Sequence, residues 1–406
     1  MTVIPRQWNR DHTRRLLIAA TIGGFLVRFA LVAVSRGSND IFTWEVFGRS
    51  IARSGLLDLY ERNPSFNHPP LPGYYSAAAA VLADWLPVPF PIIFKIPIVC
   101  ADAFAAYLLF QLWKRRRDEL TGWKAAAAYA WALTPILVSG YHGNTDSVCA
   151  TAWLLSVYLA TEREADFAAG LALAAAINVK LIPILGIPAA FACYRSSKRA
   201  AKFADGLALG LFPFLPVVMS VGPAFYQNAI AYSSNIDMWG LPGIALLLSG
   251  SPGGLGHLGG ALATLYLLLG KPLVVCAVLA SAAWAKWKPS IDPYALAALA
   301  PALFLALTPG FGVQYTQYLC PLLFAVSLRD GAVWAASSGV FIGLVYIAFW
   351  SGTLPLQSLL TSRFPMPSPL FGLSAWVLLL DIVYRLWFGR ETRDPKTPNT
   401  SKLRAA

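Results

Sequence analysis

Residues 16–45 read LLIAATIGGFLVRFALVAVSRGSNDIFTWE. Leu16 to Val34 is an apolar run interrupted only by Arg28, with Arg15 just before it. A helix that crosses a bilayer needs about 20 predominantly apolar residues, and this run reaches that length. Asp40 follows at once, with Glu45, Asp58 and Glu61 behind it. A carboxylate at a membrane boundary has a use when the substrate arrives from the lipid, so the search for chemistry starts here.

The rest of the chain repeats the message of that run. Of 406 residues 57% are hydrophobic and only 13% charged, with a mean hydropathy of +0.56. Together with many long apolar runs, this excludes an ordinary soluble domain. Backbone groups in hydrocarbon must be satisfied within the segment, and no barrel-like alternation is present. The expected fold class is therefore all-α, a polytopic transmembrane helical bundle.

The net charge of +12 is distributed as topology signals rather than as a nucleic-acid footprint. Basic residues cluster at 6–15, 114–117, 195–202, 286–288 and 385–396, between or beyond the apolar runs. Asp40, Glu45, Asp58, Glu61, Asp146 and Asp237 fall in the alternate connections, as the positive-inside rule expects. Spans are read near 16–34, 91–112, 122–140, 145–160, 166–179, 181–194, 203–221, 260–284, 292–308, 313–328, 332–350 and 368–388. That makes about twelve (range 10–13), with both termini cytoplasmic.

A single domain over 16–388 is expected, between a cytoplasmic N-terminus (1–15) and a polar, disordered cytoplasmic tail (389–406). No cleavable leader is expected. The run around Lys180-Leu-Ile-Pro183 is one kinked helix or two joined by a tight turn. The segment 72–86, bracketed by Pro72 and Pro87, should lie on the outer surface, and Ser251 to Gly260 reads as a flexible external loop. The five cysteines, at 100, 149, 193, 276 and 320, read as buried apolar filler without metal or disulfide spacing. Neither a phosphate-binding loop nor a dinucleotide glycine fingerprint appears.

The outer loop, 35–90, carries interfacial helices in this reading. Ile41, Trp44, Phe47 and Ile51 recur at helical spacing with charges on the other faces, the pattern of a helix lying on the membrane. Asp40 stands at its N-terminus, where the helix dipole favours an ionised carboxylate. The plain alternative is that Asp40 only caps this helix.

Three stretches, Asn39-Asp40-Ile-Phe-Thr-Trp-Glu45, Gly55-Leu-Leu-Asp-Leu-Tyr60 and Phe66-Asn-His68-Pro69-Pro70-Leu71, together resemble the first outer loop of GT-C membrane glycosyltransferases. The pattern is similar to bacterial polyprenyl-phosphate-sugar-dependent mannosyltransferase-like proteins and to dolichyl-phosphate-glucose glucosyltransferases. It covers about residues 36–112, through Phe94-Lys95-Ile-Pro and Asp102. Shorter matches are Tyr141-His142-Gly143-Asn144-Thr145-Asp146, Asn178-Val-Lys180 and Pro309-Gly310-Phe311-Gly312-Val-Gln314-Tyr315.

The resemblance implies inverting transfer of a sugar from a polyprenyl-phosphate donor to a glycan, lipid or protein acceptor on the outer face. Membrane lipid is a partner and nucleic acid is not. A glycoside hydrolase needs a second carboxyl group to protonate its leaving group. A polyprenyl phosphate leaves as a stable anion, so one general base suffices. Carried onto this sequence, the base is Asp40. Lys180, Lys95, Arg363 and Arg28 are the candidate cations for the departing phosphate.

Each cation has an ordinary alternative. Lys180 and Lys95 could snorkel to the interface, and Arg28 could pair with Asp102. Glu45, His68, His142, Asp146, Gln314 and Tyr315 are expected in the substrate cavity, although Asn144 or Asp146 could simply cap a helix. No cofactor is expected. The loop lacks an Asp-X-Asp pair, so metal-independent action is preferred over a divalent ion that recruits Glu45. A secondary transporter or a lipid or glycolipid flippase is the rival function. It fits less well, because no internal repeat is visible and the outer loop is long. A noncatalytic scaffold subunit is the third reading.

Overall fold

The computed structural model describes residues 6–234, 239–288, 291–346 and 369–388. Every regular element among them is helical. Among the described residues three helices are long and apolar enough to cross a membrane: Arg10–Val34, Phe90–Arg116 and Gly254–Trp287. A fourth crossing is formed if Ser197–Gly210 and Phe214–Ile230, bent by 62°, count as one broken span. Other apolar helices, such as Asp166–Val179 and Pro293–Leu307, are shorter. Leu26, Met219 and Leu268 point outward, 62%, 76% and 71% exposed, as side chains in contact with lipid do.

Several boundaries differ from those read in the sequence. The stretch 122–140 is not one helix: Glu119–Ala130 stops, and a π-helical turn, Ile136–His142, follows. Helix Gly254–Trp287 begins inside the glycine-rich stretch taken for a flexible loop. Glycine is tolerated there because a helix in lipid keeps its backbone hydrogen bonds whatever its side chains. The break at Lys180 is a turn, with the residue extended (φ −149°, ψ 146°) between helix Asp166–Val179 and the turn Ile182–Leu185. Of the cysteines, Cys149 and Cys320 are buried, but Cys100 and Cys276 are exposed. Arg363, Asp237, the end of the span read at 332–350 and the tail 389–406 lie outside the described residues.

The segment 35–90 is built as its periodicity dictates. Helix Asn39–Ser54 buries Ile41, Trp44, Phe47 and Ile51, four side chains on one face. They join Leu56, Leu59, Tyr60, Phe66, Phe90 and Phe94 in an apolar cluster that reaches Val217 and Phe225. Each such side chain contributes about 1.5–3 kcal/mol when fully buried. Helix Pro70–Trp85, which starts on the helix-compatible Pro70, packs across Asn39–Ser54. The contact is backbone to backbone: a Cβ at Gly48 would lie 2.3 Å from the carbonyl oxygen of Ser76. The shared cluster with Phe94, Val217 and Phe225 fixes the segment to the bundle.

On the side assigned to the cytoplasm, Arg116 pairs with Asp292 at 3.1 Å and Glu162 at 3.7 Å, and Arg199 with Asp166 at 2.9 Å. Ser54 and Ser197, both exposed, stand at the two assigned faces. In intact cells, a cysteine at Ser54 should react with a membrane-impermeant thiol reagent and one at Ser197 should not. The reverse pattern would invert the topology.

Candidate active site

The chain reaches Asp40 through a tight turn. Gly37, at φ 91°, sits against the neighbouring segment, where a Cβ would lie 3.0 Å from the His142 carbonyl oxygen and 3.1 Å from that of Tyr141. Ser38 then caps the helix, its Oγ accepting from the Asp40 N–H at 3.2 Å. The cap is Ser38, and Asp40 occupies the first turn with its carboxylate released for other work.

The π-helical turn supplies the partners of that carboxylate. Its wider ring closes with the Gly143 N–H donating to the Val138 carbonyl at 2.9 Å. Gly143 then reverses the chain in the left-handed region (φ 73°, ψ 50°), with no room for a side chain beneath it. His142 and Asn144 flank this glycine. His142 Nε2 lies 3.2 Å from Asp40 Oδ2, and the Asn144 Nδ2 donates to the same oxygen at 2.8 Å. The other imidazole nitrogen, Nδ1, is 2.6 Å from Ser38 Oγ, and the ring stacks on Tyr346.

Asp40 Oδ2 therefore has two partners, while no described residue hydrogen bonds to Oδ1. Burial pushes this carboxyl upward, but the charge and hydrogen bond of His142, aided by Lys180, outweigh it and bring it down to about 2. Asp40 is thus an ionised carboxylate whose side chain keeps 32% exposure.

Lys180 lines the same cavity as Asp40. Its ammonium lies 3.8 Å from Asp146 Oδ2, and Asp146 is fully buried at the first turn of helix Asp146–Glu162. Neither carboxylate oxygen of Asp146 has a hydrogen-bond partner among the described residues. The Lys180 ammonium and the N-terminus of helix Asp146–Glu162 are what this carboxyl group faces.

Asp40 and Lys180 line one cavity of about 240 Å³, together with Thr43, Trp44, His68, Asn144, Tyr232, Gln314 and Tyr315. Trp44 and His68 stack at 4.4 Å, and the Tyr60 hydroxyl donates to the His68 carbonyl. Burial, with Lys180 nearby, pushes His68 well below its usual value, so its ring is neutral. A larger hollow of about 560 Å³ lies among Phe191, Tyr194, Arg195, Ala282 and Lys286. It has no carboxylate or imidazole on its walls.

Of the residues expected from sequence, Asp40, His68, Lys180, Gln314 and Tyr315 meet at the cavity wall. His142 and Asp146 stand behind it, on Asp40 and Lys180. Three others face elsewhere. Glu45 is held by Arg49 at 2.9 Å, one helical turn on, and Arg49 also binds Asp84. Arg28 is fully buried, 3.7 Å from Asp102 and donating to the Tyr129 carbonyl, which is the ion-pair alternative. Lys95 is fully buried and donates to Ser35 and Gly140. Sequence reasoning missed Ser38 and Asn144 as partners of the Asp40–His142 pair. Ser38 before an amphipathic helix was a recognisable cap signal. Among the described residues no three His, Cys, Asp or Glu side chains gather into a metal-binding group.

The model of Glycosyltransferase family 87 matches residues 66–309, more than half of the chain. The chain belongs to this family. Among curated proteins, none matches it. Membership makes the protein a membrane glycosyltransferase, with a sugar donor and an acceptor as its substrates, and sets aside the transporter and scaffold readings. The matched stretch contains His68, His142, Asn144, Asp146 and Lys180. It begins after Asp40 and ends before Gln314 and Tyr315.

Proposed function

We propose that this glycosyltransferase is a GT-C-type enzyme that takes its sugar from a polyprenyl-phosphate donor and inverts the anomeric centre. Transfer is to a glycan, lipid or protein-linked acceptor on the outer face. In this reading the bundle has about twelve spans in a bacterial inner membrane, with cytoplasmic termini. The observation that carries the proposal is one cavity lined by both an ionised carboxylate, one of whose oxygens no described residue engages, and a lysine.

Asp40 Oδ1 accepts the proton of the acceptor hydroxyl while that oxygen forms its bond to the anomeric carbon. The bond from the anomeric carbon to the phosphate oxygen breaks, and its electron pair leaves with the phosphate. Lys180 faces the growing charge on that oxygen. Attack opposite to departure inverts the centre. Nothing has to protonate the leaving group, which explains why one base is enough.

Membranes containing the protein are expected to release free polyprenyl phosphate from a polyprenyl-phosphate sugar when acceptor is present. Consumption of a nucleotide sugar instead, with the polyprenyl-phosphate sugar left intact, would overturn the donor assignment.

A further inference from the structure

We propose that Lys95 is a positioning residue, an ammonium pin that sets the geometry of the Asp40–His142 pair from outside the cavity. The inference rests on the reading of Asp40 as the base. Lys95 belongs to helix Phe90–Arg116 and is completely buried. Its ammonium donates to the Ser35 carbonyl at 2.7 Å, to Ser35 Oγ at 3.0 Å and to the Gly140 carbonyl at 3.3 Å. These three acceptors use all three of its protons.

The acceptors lie at the roots of two segments. Ser35 begins the turn that carries Ser38 and Asp40, and Gly140 lies within the π-helical turn that carries His142, followed by Asn144. Two backbone carbonyls that face each other cannot bond to one another, and a shared cation holds them together. The aliphatic stem of Lys95 lies under the reversal between His142 and Asn144, where a Cβ on Gly143 would meet its Cγ and Cδ at 2.7 Å. One side chain thus fixes the spacing of both segments and supports the turn between Asp40's two partners. An ammonium buried without a carboxylate is costly, so it is retained where it performs a task.

The test is Lys95→Met, which keeps the stem and removes the pin. A misplacement of about 1 Å can cost about 10²-fold in rate, and a loss of that order is expected in kcat per folded molecule. KM for the donor should stay within about twofold, because substrate does not touch Lys95. Combined with His142→Gln, Lys95→Met should add little further loss, since both act through Asp40. Should Lys95→Met fail to accumulate, Ser35→Ala removes one acceptor and should give a smaller loss of the same kind.

Unchanged kcat per folded molecule, a selective rise in donor KM, or fully additive losses would each overturn the proposal. Asp40→Asn is measured alongside. An inactive Asp40→Asn with a fully active Lys95→Met refutes the pin alone. An active Asp40→Asn refutes the base.

Discussion

Asp40→Asn is expected to lower sugar transfer by about 10²–10⁴-fold, the usual contribution of a general base, while the protein still folds into the membrane. The fold should tolerate the change because Ser38, not residue 40, caps the helix. The amide oxygen of an asparagine can still accept from Asn144. What disappears is the capacity of Oδ1 to take a proton. Near-normal transfer by Asp40→Asn would remove the base from this position and move the search to Asp146.

The same carboxylate predicts a pH effect. Its folded value lies below the ordinary 3.8, so the stabilisation it brings is present above 3.8 and is lost as pH falls toward about 2. His142→Phe keeps a ring against Tyr346 and removes the main lowering partner, leaving burial to push Asp40 upward. The acid limb of transfer should therefore move up. An acid limb unchanged in His142→Phe would mean that His142 does not govern this carboxylate.

Lys180→Ala should lower donor turnover by about 10²–10³-fold, the scale seen when one group that stabilises developing negative charge is removed. Lys180→Arg should retain much of the activity, because the positive charge remains. The alanine variant carries a second penalty: Asp146 would be left buried and unpaired, at a cost of about 3–5 kcal/mol. The double variant Lys180→Met/Asp146→Asn removes both charges together and separates chemistry from folding. If that variant is stable and uses donor normally, Lys180 serves only to balance Asp146. Arg363 would then be the next candidate for the phosphate.

How much of this was legible in the sequence depended on the range of the cause. The amphipathic helix Asn39–Ser54 was legible because its four apolar positions are local, and all four are buried. The break at Lys180 was legible through nearby Pro183. Glu45 was recoverable too, since Arg49 stands four residues on and such pairs meet on a helix. The π-helical turn was not, because an i→i+5 ring has no residue code, and 122–140 reads as one apolar span.

Lys95 and Arg28 show a deeper limit. A lysine inside an apolar run looks the same whether it faces a cavity or pins two carbonyls. Only the arrival of Ser35 and Gly140, 60 residues before it and 45 after it, decides between them. Lys180 faces the cavity because helix Asp166–Val179 stops where it does.

In the proposed reaction, the salt bridge behind the cavity bears on how long the spent carrier stays. A phosphate that occupies Lys180 must draw the ammonium away from Asp146, which remains beside it as a competing anion. That rivalry weakens the grip on the lipid product and shortens its residence. In a bilayer, where the carrier cannot diffuse into water and its local concentration stays high, strong retention would stall the enzyme on its own product. A lysine with a standing counter-ion gives up affinity and gains turnover.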